Sequence, residues 1–296
     1  MDVFKRPIND DIKNTLIFQI ISWDASDEEI YNSDSEEENE VLEYNIYAFG
    51  VDENSESVCV RFENYKPYLF AIIPEKLQKN FGSYHLKELE KYIKNKLWKS
   101  KDGLESVSIV TRKKYSGFTN ETEYKFIKFV CKNHKTYNKI KWILNPKEKN
   151  RLPKISNIST DYLKFELYEA NIEPYFRFTH KQDIKMAGWV KVDNVTKDDS
   201  ISRCQNSYIA DYKCVSEYDK QEICNLTLGS WDIESFSYSS RYENINEFPN
   251  PENPKDIITQ IGTSLYKFNT KEKIKHVVTI KSPIDKDCDE IDGIII

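Results

Sequence analysis

The sequence has few of the residues that interrupt regular structure or cross-link a small fold. Only 8 of its 296 residues are Gly and 10 are Pro, which excludes collagen-like and linker-dominated chains. None of the 6 Cys belongs to a C-x-x-C pair and no secretory segment precedes them, so we expect reduced thiols and no zinc knuckle. Gln19 interrupts the apolar run at residues 16–21, which is too short for a signal peptide or a membrane span. We therefore expect a soluble cytoplasmic or nuclear protein that is neither secreted nor membrane-bound.

Acidic residues are concentrated in one segment. The net charge of the chain is -6, but residues 24–43 contain ten acidic residues and no basic one, and the remainder of the chain has a net charge of +4. A block of like charges is typical of a solvated, mobile loop. We therefore predict an acidic disordered loop at residues 22–43, with a phosphorylation or partner-docking tail around Ser33 and Ser35 as the alternative.

Patterns in the first two thirds of the chain predict an α+β fold. Runs of β-branched and aromatic residues alternate with stretches of helical periodicity. The predicted strands cover residues 15–23, 43–51, 57–63, 68–74, 107–111 and 124–131, and the predicted helices cover residues 86–97 and 135–144. The order after residue 68 is compatible with an RNA-recognition-like (ferredoxin-like) subdomain, in which helices cover one face of a sheet.

The remaining pattern predicts further elements and a domain boundary. We predict a helix at 162–171 that resumes at 176–180, strands at 188–192 and 208–215, and a polar linker at 216–221. Beyond the linker, a buried strand at 226–233 is followed by strands at 257–268 and 274–280. Three successive strands with an acidic pair on the first are typical of the start of a ribonuclease H-like sheet. The predicted domains are therefore residues 1–221 and 222–296.

The acidic pair is Asp232 and Glu234. Two residues apart on a strand, their side chains project from the same face, and two carboxylates suit Mg²⁺ or Mn²⁺, which prefer oxygen ligands. The D-x-E spacing also occurs at residues 27–29 and 34–36, but only Asp232 and Glu234 lie in an apolar strand, where carboxylates are costly unless compensated. The alternative is a solvent-facing acidic pair.

The residues around this pair resemble family B DNA polymerases. The run L-G-S-W-D-I-E-S at residues 228–235 resembles the first exonuclease motif of that family, and F-P at 248–249 with D-I-I-T-Q-I-G at 256–262 is similar to the run that follows it. Upstream, Y-E-A-N at 168–171, R-F-T-H at 177–180 and G-W-V at 188–190 resemble the delta-type N-terminal region. The resemblance spans roughly residues 43–280.

The resemblance implies the N-terminal part of a replicative, delta-like polymerase, from a large DNA virus with an AT-rich genome. Residues 1–221 would be its N-terminal domain and residues 222–296 an incomplete ribonuclease H-like 3′-5′ exonuclease domain. Asp232 and Glu234 would be catalytic ligands of two Mg²⁺ (or Mn²⁺) ions. The later exonuclease motifs and the polymerase motifs have no match, so we expect little or no activity from the chain alone. Expected partners are primer-template or single-stranded DNA, the rest of the polymerase in cis or as a second chain, and a sliding clamp.

A basic stretch is a second candidate site. Residues 132–154 contain eight basic residues against Glu148, with aromatic residues between them. Lysines there could contact phosphates while aromatic rings stack on bases. The alternative is a solvated helix face whose aromatic residues belong to the core. The candidate residues are Lys135, Tyr137, Lys139, Lys141, Trp142, Lys147 and Arg151.

Two other functions remain open at this stage. The chain could be a non-catalytic nucleic-acid-binding module or a split-gene subunit that complements a second polymerase fragment. It could also be a self-sufficient nuclease, if Asp285, Asp287, Asp289 or Asp292 completes the metal site.

Overall fold

The computed structural model describes residues 14–30, 41–114, 117, 119–147, 152–242, 248–268, 270, 272–279 and 294–295. Its strands are β1 (Thr15–Ile30), β2 (Val41–Asp52), β3 (Ser57–Glu63), β4 (Tyr68–Ile72), β5 (Leu104–Lys113), β6 (Glu123–Cys131), β7 (Glu166–Tyr168), β8 (Trp189–Asp193), β9 (Thr196–Lys197), β10 (Asn206–Asp211), β11 (Val215–Glu217), β12 (Thr227–Phe236), β13 (Ile257–Lys267), β14 (Lys273–Thr279) and β15 (Ile294–Ile295). Its helices are α1 (Ser83–Leu97), α2 (His134–Leu144), α3 (Pro174–Lys181) and α4 (Tyr238–Tyr242). Mixed sheets with few helices confirm the predicted α+β class.

The chain divides into two compact units, Met1–Glu222 and Ile223–Ile296. Their identities as a polymerase N-terminal domain and an incomplete exonuclease domain stay predictions. In the part of the chain that the structure describes, no helix combines the length and apolar character needed to cross a bilayer.

A seven-stranded sheet forms one half of the first unit. Its strand order is β11-β8-β1-β2-β3-β10-β9, with β10 parallel to β3 and the other pairings antiparallel. On β1, the alternate residues Leu16, Phe18 and Ile20 are at most 2% exposed, as expected for a strand with one face in the core. Helix α3 covers this core, where the ring of Phe178 lies 5.4 Å from that of Phe62.

The acidic segment is not the predicted loop over its described part. Strand β1 continues to Ile30, which pairs with Val41 of β2, so residues 24–30 belong to a hairpin. Specific partners explain this difference, because Glu28 forms an ion pair with Arg61 at 3.3 Å. Asp27 accepts backbone hydrogen bonds from the first two residues of α2, at 2.7 and 2.8 Å. Ser33 and Ser35 lie outside the described residues.

A four-stranded sheet forms the other half of the first unit. The element order β4-α1-β5-β6-α2-β7 produces the strand order β5-β6-β4-β7, and each pairing is antiparallel. Leu69 and Ala71 of β4 lie in the same core cluster as Leu89 and Ile93 of α1 and Ile140 of α2, all 0% exposed. Both helices therefore cover one face of the sheet.

The predicted helix at residues 162–171 is wrong. The segment contains strand β7, which pairs with β4 at the sheet edge. Leu163 and Phe165 are 4% and 1% exposed and Leu167 packs on the same core, so burial alternates with a period of two. Glu169 then takes a φ of 55°, which ends the strand in a turn.

The second unit contains a four-stranded sheet in the order β12-β13-β14-β15, antiparallel except for the last pair. The predicted strands at 226–233, 257–268 and 274–280 correspond to β12, β13 and β14, but β12 is not the buried strand we expected. Leu228 is 49% exposed and Trp231 is 68% exposed. Stable domains bury a sheet face under a second layer, and the described residues of this unit provide only one extended layer.

Candidate functional site

Asp232 and Glu234 lie side by side on one face of β12. In the antiparallel pairing with β13, Asp232 is opposite Gly262 and Glu234 is opposite Gln260. Strand geometry places their Cα atoms about 6–7 Å apart, and Ile233 between them projects from the other face. Both acidic side chains are exposed. The structure therefore places the two side chains on one exposed face of the strand, as the spacing predicted.

The neighbouring strand leaves space beside the pair. A Cβ atom added to Gly262 would meet no other heavy atom within 4 Å, so no side chain fills the volume opposite Asp232. The strand register shifts between Glu234 and Ser235, and the hydroxyl of Thr259 donates a 3.0 Å hydrogen bond to the carbonyl oxygen of Glu234. Such a bulge redirects a strand and often lies next to a functional site. Regular pairing thus shifts immediately after the acidic pair.

Among the described residues, neither Asp232 nor Glu234 forms an ion pair with a basic side chain. The second unit does contain an ion pair elsewhere, between Lys267 and Glu272. One oxygen of Asp232 accepts a hydrogen bond from the backbone N–H of Ile233 at 2.9 Å, which leaves its second oxygen available. Two adjacent carboxylates without a compensating cation fit hard divalent ions. No group of three or more metal-ligating side chains occurs within the described ranges.

Asp256 anchors the loop that leads into β13. Its carboxylate accepts backbone hydrogen bonds from Tyr238 and Asn250, each at 2.8 Å, and a side-chain hydrogen bond from Asn253 at 3.1 Å. These bonds lower the pKa of Asp256, with the bond from Asn250 contributing most. The sequence indicated Asp256 only as part of the motif, and the structure gives it a local anchoring role.

The basic stretch is split between the surface and the core. Lys135 and Lys139 of α2 are exposed, and Trp142 is 57% exposed with the Nζ of Lys147 5.6 Å from its ring centroid. Tyr137, in contrast, is 1% exposed and donates its hydroxyl hydrogen to the carbonyl of Glu169. Its ring is therefore a core group that no base can reach in this structure.

The other members of the stretch are less informative. Lys141 is half-buried, with its Nζ 5.4 Å from the ring centroid of Tyr137. Arg151 lies outside the described residues, as do Asp285, Asp287, Asp289 and Asp292.

A second group of aromatic and basic side chains was not expected from the sequence. It lies on the four-stranded sheet, on the face opposite α1 and α2, and includes Phe70, Phe126, Lys128 and Tyr168. Its signal in the sequence is the alternation of Tyr124, Phe126 and Lys128 along β6, which periodicity alone cannot distinguish from ordinary core packing.

Comparisons with known proteins relate the chain to viral DNA polymerases and to a polymerase exonuclease domain. Residues 165–292, which include Asp232 and Glu234, match the DNA polymerase family B exonuclease domain. The chain is 33% identical over 237 residues to the DNA polymerase of Pyramimonas orientalis virus, a match that covers 79% of this chain and 18% of the relative. It is 27% identical over 292 residues to the DNA polymerase of Acanthamoeba polyphaga mimivirus, covering 94% of this chain and 15% of the relative. The chain thus spans less than a fifth of the length of either protein.

A solved structure shares the fold. The family B DNA polymerase from the hyperthermophilic archaeon Pyrobaculum calidifontis superimposes with a TM-score of 0.53 at 15% identity, over 89% of this chain and 27% of that chain. At this identity the likeness concerns the fold alone.

Proposed function

We propose a proofreading role for this chain, which carries a family B DNA polymerase exonuclease region related to those of large DNA viruses. In this proposal the chain is the N-terminal portion of a replicative polymerase. Asp232 and Glu234 contribute metal ligands to its 3′-5′ exonuclease, and the substrate is the 3′ end of DNA.

The observation that supports this proposal is the placement of two carboxylates on one exposed strand face opposite Gly262. Asp232 and Glu234 would hold Mg²⁺ or Mn²⁺, because both side chains offer hard oxygen atoms that no basic residue of the described chain neutralises. When bound, a pair of such ions supplies an activated water and stabilises the leaving oxygen of a phosphodiester.

We further propose that the chain alone is inactive. Two carboxylates are too few to fix two divalent ions in the geometry that hydrolysis needs. The other ligands would come from polymerase residues in cis or on a second chain, which would assemble with this one at a viral replication site in the cytoplasm or in the nucleus. A sliding clamp is a further proposed partner.

Mn²⁺ binding, measured by electron paramagnetic resonance, tests the acidic pair. We expect weak binding by the 296-residue chain and its loss in the double variant Asp232→Ala/Glu234→Ala. Glu252→Gln removes an exposed carboxylate from a loop of the same unit and serves as the matched control. Equal Mn²⁺ binding by all three proteins would remove the pair from any metal site.

The element order of the four-stranded sheet supports a second assignment. We propose that β4 to β7 with α1 and α2 form an RNA-recognition-like subdomain of the polymerase N-terminal domain, because β-α-β-β-α-β is the order of that fold. In this proposal the subdomain contributes to the binding of single-stranded or primer-template DNA.

The alternative function is a non-catalytic nucleic-acid-binding module or split-gene subunit. The absence of any group of three or more metal-ligating side chains among the described residues is compatible with this alternative. A 3′-labelled oligonucleotide incubated with the chain and Mg²⁺ separates the possibilities. Binding without trimming agrees with both the inactive portion and the module, whereas trimming that Asp232→Ala abolishes would show a self-sufficient nuclease.

A further inference from the structure

Aromatic residues form a continuous group on the sheet face that α1 and α2 do not cover. Leu69 and Ala71 of β4 pack beneath the helices, so their neighbours in the strand project from the other face. Strand pairing then places residues of β6 and β7 beside them. We call this group the aromatic face, and its members are Tyr68, Phe70, Tyr124, Phe126, Lys128 and Tyr168.

The rings of the aromatic face hold one another in fixed orientations. Tyr68 contacts Phe70 at 5.5 Å, Phe70 contacts Phe126 at 6.5 Å and Phe126 contacts Tyr168 at 5.2 Å, each within 12° of perpendicular. Edge-to-face contacts of this kind are favourable and restrict ring rotation. Phe126 is 3% exposed and forms the base, whereas Phe70 and Tyr168 are half-buried and offer part of their surface. The side chains of the aromatic face would therefore lose little additional conformational entropy when a ligand stacks on them.

Cations border this face without matching carboxylates. The Nζ atoms of Lys128 and Lys181 lie 4.4 and 5.1 Å from the ring centroid of Tyr68, and Arg112 is the register partner of Tyr124. None of these three cations belongs to an ion pair within the described residues. The pKa of Lys128 is lowered by burial and then by Lys181, Arg112 and Arg177, which is the result expected for crowded positive charge.

The acidic residues near the face limit where an anion could lie. Glu169 forms an ion pair with the Nε of Arg177 at 2.9 Å, and Glu166 accepts a 2.8 Å hydrogen bond from the hydroxyl of Tyr168. Both carboxylates belong to the β7 side of the sheet. The unpaired positive charge therefore lies toward β5, β6 and the end of α3.

We propose that the aromatic face binds single-stranded DNA, with bases stacked on Phe70 and Tyr168 and phosphates contacting Arg112, Lys128 and Lys181. Single-stranded nucleic acid offers both exposed base faces and phosphates. In a duplex the base faces are stacked and inaccessible, and an acidic peptide has negative charge but no bases. This surface belongs to the first unit and the acidic pair to the second, so the inference rests on the proposed RNA-recognition-like subdomain and does not depend on the exonuclease proposal.

The structure offers a matched comparison on the same sheet. Lys87 and Lys91 are exposed on α1, which covers the opposite sheet face, and neither belongs to a proposed binding site. Substituting these two lysines removes the same charge as substituting Lys128 and Lys181. The two double variants therefore have the same net charge, and they differ only in the position of the substituted lysines.

Fluorescence anisotropy with a labelled oligo-dT of about 12 nucleotides, a length within known site sizes, tests the cations. We expect Lys128→Gln/Lys181→Gln to weaken binding roughly 5- to 10-fold and to reduce the slope of log K against log salt by about 1.4. Lys87→Gln/Lys91→Gln should leave both quantities unchanged. Equal weakening by the two double variants, or weakening by the α1 variant alone, overturns the proposal.

Tyr168 tests stacking without a change of charge. Tyr168→Leu should weaken binding at least about 5-fold with an unchanged salt slope, whereas Tyr168→Phe, which keeps the ring, should retain binding. Circular dichroism shows whether each variant folds, and ultraviolet cross-linking of the unmodified chain gives an independent readout, since the cross-linked peptides should contain Phe70 or Tyr168.

Competitors distinguish the possible ligands. Oligo-rU of the same length tests the sugar, and a 10-fold preference for it would overturn the assignment to DNA. Two outcomes would indicate a surface that recognises negative charge alone and would overturn the proposal. One is that duplex DNA displaces the probe as effectively as single strands do. The other is that polyglutamate displaces the probe and Tyr168→Leu has no effect on binding.

Discussion

The two units of the chain bury their side chains very differently. In the first unit, whole strand faces are enclosed, and Phe18, Phe62 and Phe129 are 0% exposed. In the second unit, comparable residues lie on the surface, with Trp231 at 68% and Phe248 at 95% exposure. In the first unit, α1 and α2 pack on one sheet and α3 packs on the other, whereas the described part of the second unit is mainly one sheet. Residue type alone therefore does not determine burial, since a strand needs a second layer to form a core.

Two phenylalanines measure the largest difference between the units. Phe62→Ala should lower the free energy of unfolding of the first unit by about 3–5 kcal/mol, because it leaves a cavity beside Phe178. Phe248→Ala, at an exposed position of the second unit, should change the free energy of unfolding of that unit by less than about 0.5 kcal/mol. Urea denaturation followed by circular dichroism measures both. Similar costs for the two variants would contradict the difference in burial.

Gly50 of the first unit and Gly262 of the second differ in the space available for a side chain. A Cβ atom at Gly50 would lie 2.1 Å from the carbonyl oxygen of Gln19, so Gly50→Ala should cost about 1–3 kcal/mol through overpacking. Gly262→Ala meets no atom within 4 Å and should be nearly neutral for stability. Thermal unfolding of the two variants checks this difference, and a neutral Gly50→Ala would show that β1 and β2 can separate at little cost.

Asp27 shows how the first unit uses its acidic residues. Asp27→Ala removes two hydrogen bonds to the N-terminus of α2 and should cost about 0.5–2 kcal/mol. Asp24→Ala, three residues earlier on the same strand, removes only a contact with the backbone N–H of Ala25 and is the control. If both variants lose the same stability in urea, net charge rather than capping is responsible.

Asp256 provides the smallest effect and belongs to the second unit. Hydrogen bonds lower its pKa in the folded state, so its contribution to loop stability is present above the unfolded value of 3.8 and is lost as the pH falls through the lower folded value. Carboxyl chemical shifts recorded by NMR between about pH 2 and 6 should show this lowered titration. In Asp256→Asn, the amide signals of Tyr238 and Asn250 should lose that pH dependence.

The parts of the fold that followed from the sequence are those governed by local periodicity. Strands on both sides of the linker and the two helices of the four-stranded sheet occur within a few residues of their predicted positions. The segment at residues 162–171 was misassigned as a helix, because its apolar residues fit two periods and only pairing with β4 selects the strand. The described acidic residues before Ile30 were misassigned as a loop, because their partners are distant in sequence.

The candidate site divides in the same way. Alternation along a strand is a local property, so the sequence by itself placed Asp232 and Glu234 on one face of β12. Exposure depends on which layer covers a strand, and only the tertiary structure showed that this pair is open while Tyr137 is enclosed. The aromatic face likewise exists only after β4, β6 and β7 pair, since Phe70, Phe126 and Tyr168 come from three separate segments. A residue's position along a strand determines which face of the sheet its side chain takes. Tertiary packing determines which groups the side chain contacts on that face.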